Sequence, residues 1–213
     1  MNPTPWAWWW TVALTLGAPA LLIGWAPLAA PTDTWPTWQA ALALHPSQGW
    51  AQAPWRWWTC AWLHGSAAHQ LGNMLALLAV AALGQQARLP ARAALAWALA
   101  WPLTHLALLG QPQPITYVGA SGVLHAGVAI LGVYHLLQRH EGAHRILGPL
   151  LLGGLALKVF MENPWQHPLI THADSDITVA PWAHLAGGLA GCALALLTGL
   201  WPSSKQGSRP PSD

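Results

Sequence analysis

Charge is what this sequence lacks. Charged residues make up 7% of it and hydrophobic ones 54%, whereas water-soluble domains carry about a quarter charged residues. That balance argues against a soluble globule. The eight Lys and Arg residues leave a net charge of only +2 and form no cluster, so no nucleic-acid partner is expected. Cysteine is scarce as well: Cys60 and Cys192 fall at different depths in the span order given below, which predicts free thiols and no disulfide. The amino-terminal MNPTPW carries no basic region, so the first apolar run reads as a retained anchor and not a cleaved signal. No fixed-period repeat is visible.

What the chain has instead is apolar runs, six of them, at about 6–28, 66–84, 92–109, 121–137, 146–160 and 182–201. Most reach the roughly 20 residues needed to cross a bilayer. The predicted fold class is an all-α polytopic membrane protein of six transmembrane helices, spanning 1–202, with a disordered polar tail at 203–213. Tryptophans gather at run ends (Trp6, Trp8, Trp9, Trp10; Trp55, Trp57, Trp58; Trp201), as an interfacial belt would. Arg88, Arg92, Arg139, Arg145, Lys205 and Arg209 fall on one side, while Arg56 and Lys158 fall on the other with Asp33, Glu162, Asp174 and Asp176. The positive-inside rule then puts both termini in the cytoplasm. Two outer segments are long. The first, 29–59, is rich in Pro, Trp and Thr and is expected to lie partly in the headgroup layer. The second, 161–181, could cap an entrance or be an ordinary loop.

Within this apolar chain, Gly119-Ala120-Ser121-Gly122 follows the proline-broken stretch 111–114 and opens the fourth run. A serine at a helix start sits beside unpaired N–H donors. Spans two, four and six are parallel on this topology. At about 1.5 Å of rise per residue, Ser121, His184 and His69 each lie about 18 or 19 residues, roughly 27 Å, from the cytoplasmic end of their spans, with Asn73 one turn deeper. Polar side chains at such depth face a cavity or a partner. The convergence suits acyl transfer: Ser121 as nucleophile, His184 as general base, and the Ser121 N–H, Asn73 and His69 as oxyanion donors. No Asp or Glu is expected at that height, so the spacing predicts a Ser–His dyad and not a triad. Gly187, Gly188 and Gly191 after His184 would bring span six close to span four. His64 and His69 are five apart, not the four that aligns two zinc ligands on a helix. His135, His140 and His144 lie at the inner interface, and His105 reads as hydrogen-bonded packing. Neither a metal nor a cofactor is expected.

These residues resemble the rhomboid intramembrane serine proteases. Trp55-Arg56, His69-x-x-x-Asn73, Gly119-x-Ser121-Gly122 and Ala183-His184-x-x-Gly187-x-x-x-Gly191 occur in the family's order and spans. The resemblance implies the same roles for Ser121, His184, His69 and Asn73. It also implies a membrane-embedded first outer loop, with span five and 161–181 as a mobile gate. Four residues after the serine, where rhomboids usually carry an aromatic that stacks on the catalytic histidine, stands His125. The string GASGVLHAG is similar to the rhombosortase subgroup of bacterial rhomboids, whose substrates end in Gly-Gly, an apolar helix and a basic tail. The resemblance therefore implies a bacterial cytoplasmic-membrane enzyme, in the lipid bilayer, acting on transmembrane proteins. His125 would either stack on His184, which is the expectation, or compete for the Ser121 proton. Two other classes stay open: a polytopic transporter or channel, and a non-proteolytic rhomboid-like binder.

Overall fold

The computed structural model describes residues 4–24, 35–111, 116–138, 144–167, 169–171 and 178–200. Arg139, His140, His172, Asp33, Asp174, Asp176, Lys205, Arg209, the prolines at 112 and 114, Trp201 and the expected tail at 203–213 lie outside them. Each apolar run folds as a helix: α1 (Ala7–Ile23), then two short helices α2 (Thr37–Ala40) and α3 (Arg56–Thr59), then α4 (Ala67–Gln86), α5 (Ala91–Leu106), α6 (Ser121–Leu137), α7 (His144–Glu162) and α8 (Pro181–Gly199). The only strands among the described residues are the two-residue pair β1 (Ile170–Thr171) and β2 (Thr178–Val179), between α7 and α8. By length and composition, three helical stretches can cross a membrane: Ala67–Gln86, Ala91–Gly110 and Pro181–Gly199. Ala7–Ile23 and Ser121–Leu137 are apolar but shorter.

The distribution of side chains is inverted relative to a soluble bundle. Leu22 on α1, Leu71 on α4, Phe160 on α7 and Leu197 on α8 are each more than 60% exposed. Gln70, Asn73, Thr104, His105, His125 and His184 are buried. An outer surface so continuously apolar is unusual for a protein in water and normal for one in lipid. The buried polar groups are in part tied to neighbouring backbones. Gln70 Nε2 donates to Ala20 O at 2.7 Å. His105 Nδ1 lies 2.7 Å from Trp57 O, the packing role expected of it. Cys60 is buried, Cys192 is half-buried, and both are free thiols.

Small residues set the tightest interface, between α6 and α8. A Cβ on Gly187 would lie 2.0 Å from Gly122 O, one on Gly191 2.5 Å from Ala126 O, and one on Gly122 2.8 Å from Ala183 O. The two backbones are thus in direct contact along two turns, as small-xxx-small spacing permits.

Within 35–66, between α1 and α4, the chain is tied together by its own side chains. Trp55 Nε1 and Arg56 Nε both donate to Ala41 O, at 3.0 and 3.1 Å. Arg56 Nη1 reaches Gln48 Oε1 at 2.6 Å, and Thr59 Oγ1 donates to Leu42 O at 2.8 Å. The Trp-Arg pair therefore cross-braces its own loop. The tryptophan belt needs a correction. Trp8 and Trp55 are half exposed, but Trp9 and Trp57 are fully buried. Trp9 packs on Trp97 with ring centroids 4.3 Å apart and donates to Val80 O at 3.1 Å. The Trp9 indole, whose N–H finds a carbonyl inside the bundle, has no reason to stay at an interface; Trp57 packs on Trp50, ring centroids 5.0 Å apart, and its Nε1 has no partner among the described residues.

Candidate active site

Four helix ends meet at one level. His69 is in the first turn of α4, Ser121 is the first residue of α6, His184 is in the first turn of α8, and Glu162 is the last residue of α7. Local chemistry fixes each boundary. Ser66 caps α4, its Oγ accepting from the His69 N–H at 3.1 Å, as N-cap serines do. The chain entering α6 is pinned by a two-way backbone bridge between Leu44 and Tyr117 and by Gly119 N–H donating to Cys60 O at 3.0 Å. Gly119 has φ +123°, open to glycine, and a Cβ there would lie 2.7 Å from His69 Cε1; the glycine lets the imidazole close against the serine's loop. Pro181 opens α8 at the position proline suits best. Asn163, at φ +47°, ends α7 in the left-handed conformation that asparagine tolerates.

Ser121 Oγ lies 2.8 Å from His184 Nε2. On the other side of the ring, His184 Nδ1 lies 2.7 Å from Glu162 Oε2. A carboxylate can only accept, so Nδ1 carries the proton, and Nε2 of the neutral ring is left to accept from the Ser121 hydroxyl. Glu162 Oε1 accepts from Lys158 Nζ at 2.6 Å, one helical turn back. The expectation that no carboxylate reaches this height is therefore wrong. α7 runs two residues beyond the apolar run that ends at Phe160, and this extra half-turn carries Glu162 to the histidine. A signal was available: Glu162 stands 18 residues after His144, the same climb of roughly 27 Å that places Ser121.

His125 lies flat on His184, with ring centroids 4.1 Å apart and planes 6° apart. Its Nδ1–H donates to Ser121 O at 2.7 Å, which commits that nitrogen to the backbone and leaves the ring as a stacking surface. His69 Nδ1 accepts from Gly65 N–H at 3.3 Å, so a neutral His69 holds its proton on Nε2. Asn73 is buried, and its Nδ2 has no hydrogen-bond partner among the described residues. A cavity of about 550 Å³ between α4 and α7 is lined by Ser121, His184, Asn73, His69 and Glu162, with apolar walls that include Val80 and Leu151.

The ligating atoms of His125, Glu162 and His184 lie within 4.8 Å of one another, close enough to raise the question of a metal ion. The stacked rings answer it. Imidazole lone pairs lie in the ring plane, and two parallel planes aim them side by side, not at one point about 2.1 Å from each nitrogen. The residues do not fit a metal as arranged.

Residues 51–201 match the Rhomboid domain family, a stretch that contains every site residue named above. Among curated proteins no match was found.

Proposed function

The chain belongs to the rhomboid family, whose members are generally intramembrane serine proteases, and from that premise we propose that it is a multi-pass serine endopeptidase that cuts transmembrane proteins with Ser121 and His184. The observation that carries the proposal is the 2.8 Å contact from Ser121 Oγ to His184 Nε2 at the edge of a mostly apolar cavity. A substrate segment unwound into that cavity would present its carbonyl carbon to Ser121. As the Oγ–C bond forms, the hydroxyl proton moves to Nε2 and the carbonyl electron pair moves onto oxygen. The new oxyanion meets the N–H of Ser121, which has no partner within the helix because it opens α6, together with Asn73 Nδ2 and His69 Nε2–H. His184 then returns its proton to the departing amine, and water repeats the sequence on the acyl-enzyme. His125 supports the base by covering one face of its ring.

A fluorophosphonate probe tests this directly. It should label the wild type on Ser121, and label neither Ser121→Ala nor His184→Ala. A wild type that stays unlabelled while folded overturns the assignment in favour of a transporter or a non-proteolytic binder. Within the protease reading, Asn73→Ala should lower kcat by about 10²- to 10³-fold with KM little changed, because a preorganised oxyanion donor acts on the transition state alone. Steady-state cleavage of a transmembrane peptide in micelles checks it.

Histidine at position 125 and the string GASGVLHAG support the rhombosortase-like subgroup, with both termini cytoplasmic in a bacterial inner membrane. The substrates would then be proteins ending in Gly-Gly, an apolar helix and a basic tail. Co-expression of such a protein with wild type and with Ser121→Ala should give a mass loss in the first case only.

A further inference from the structure

We infer that Glu162 is the positioning residue of His184: α7 supplies a carboxylate that fixes which imidazole nitrogen is the base. This inference rests on the protease reading and deepens it. A histidine in a dyad has two tautomers and a free ring torsion, and only one combination aims a lone pair at the serine. Here three contacts remove that freedom. Glu162 Oε2 holds Nδ1 at 2.7 Å, His125 covers one ring face at 4.1 Å, and Ser121 Oγ meets Nε2 at 2.8 Å.

Glu162 is itself held. Lys158 Nζ engages its second oxygen at 2.6 Å, and Asn163 stops the helix directly after it. The resting group of Lys158 cation, Glu162 anion and neutral His184 carries no net charge, which suits a half-buried position next to lipid. When Ser121 attacks, its proton goes to Nε2 and the ring becomes cationic. The Nδ1 proton stays on nitrogen, and the carboxylate offsets the new positive charge without taking a proton. The orientation role is the one an acidic residue fills in Ser–His–Asp triads. Because α7 packs mainly on α6 and far less on α8, the bond from Glu162 to His184 is also a main tie between α7 and the base.

Glu162→Gln is the informative variant. Lys158 can only donate, so it draws the amide carbonyl to itself and turns the NH₂ toward Nδ1. His184 would then hold its proton on Nε2 and donate to Ser121, the wrong direction for a base. The expected result is a loss of about 10²- to 10⁴-fold in the rate of fluorophosphonate labelling and an equal loss in peptide kcat, with KM unchanged. A role in substrate docking or gating would instead raise peptide KM and spare the small probe.

A second measurement needs no activity. In ¹⁵N-histidine-labelled Ser121→Ala, neutral His184 should be protonated at Nδ1, and adding Glu162→Gln should move the proton to Nε2. Failure of the wild type to label would count against the protease reading, not against this one. A wild type that labels at a rate within about threefold of Glu162→Gln, or a His184 unprotonated at Nδ1 in Ser121→Ala, overturns the positioning role.

Discussion

His184→Ala is expected to lower kcat for a transmembrane peptide by about 10⁴-fold or more while KM changes little. Both parts follow from where the ring sits. Its Nε2 is the acceptor found for the Ser121 hydroxyl among the described residues, while the bond found for His125 runs from Nδ1–H to Ser121 O and not to the hydroxyl. Without a base the serine must attack as a neutral alcohol and then lacks an acid for the leaving amine. On the proposed reading the substrate is held by the apolar walls of α4 and α7, so KM has no cause to move. The double variant Ser121→Ala/His184→Ala should be no slower than the slower single variant, because the two residues act as one unit. Single-turnover cleavage in micelles gives these values. A loss below about tenfold would mean that another group takes the serine proton.

The meeting of these side chains was legible in the sequence because depth in a parallel set of helices can be counted. Ser121, His69 and His184 are each near the start of a run whose far end is marked by polar residues, and a constant rise converts residue numbers into height. The glycines were legible for a related reason: small residues four apart on a helix, as at Gly187 and Gly191, leave a groove that only another backbone can fill. Glu162 was missed because the fifth run was closed at Phe160, just short of the first polar residue, although helices do not stop at a change in polarity. α7 stops where Asn163 takes a left-handed conformation, and that is a backbone event with little trace in hydropathy. The buried tryptophans were missed for the opposite reason. Composition shows that Trp9 lies at a run end, but only packing shows that Trp97 lies 4.3 Å from it.

The interior polarity ties these points together. In a bundle whose outside is leucine and phenylalanine, each buried polar side chain needs a partner inside. Gln70, His105 and Trp9 find backbone carbonyls, and His184 finds Ser121 and Glu162. Among the described residues several buried polar atoms do not, Trp57 Nε1, both His64 nitrogens and Asn73 Nδ2 among them; unlike Trp57 and His64, Asn73 lines the cavity where charge would develop on a substrate oxygen. A donor left unmatched in the resting protein is what transition-state stabilisation requires, since a bond already made could not strengthen during reaction.

Gly187→Ala should cost both stability and activity, although the glycine touches no substrate. The added methyl would lie 2.0 Å from Gly122 O, a backbone atom that has no rotamer through which to yield. Relief requires α8 to move away from α6 by more than 1 Å, against the roughly 1–3 kcal/mol typical of overpacking. His184 is on α8 one turn before Gly187, and Ser121 immediately precedes Gly122, so this shift acts directly on the 2.8 Å contact. A displacement of about 1 Å between reacting groups can cost 10²-fold in rate, and Gly187→Ala should lose at least that in kcat, with a lower unfolding midpoint in micelles. Gly187→Val, with two further carbons facing the same carbonyl, should retain no measurable cleavage. Gly153→Ala is the matched control. Gly153 is exposed on α7 with nothing within 4 Å of an added Cβ, so the change should leave activity intact and add slightly to helix stability. Should Gly187→Ala instead cleave at the wild-type rate, the backbone contact of α6 with α8 would not be what sets the serine–histidine distance.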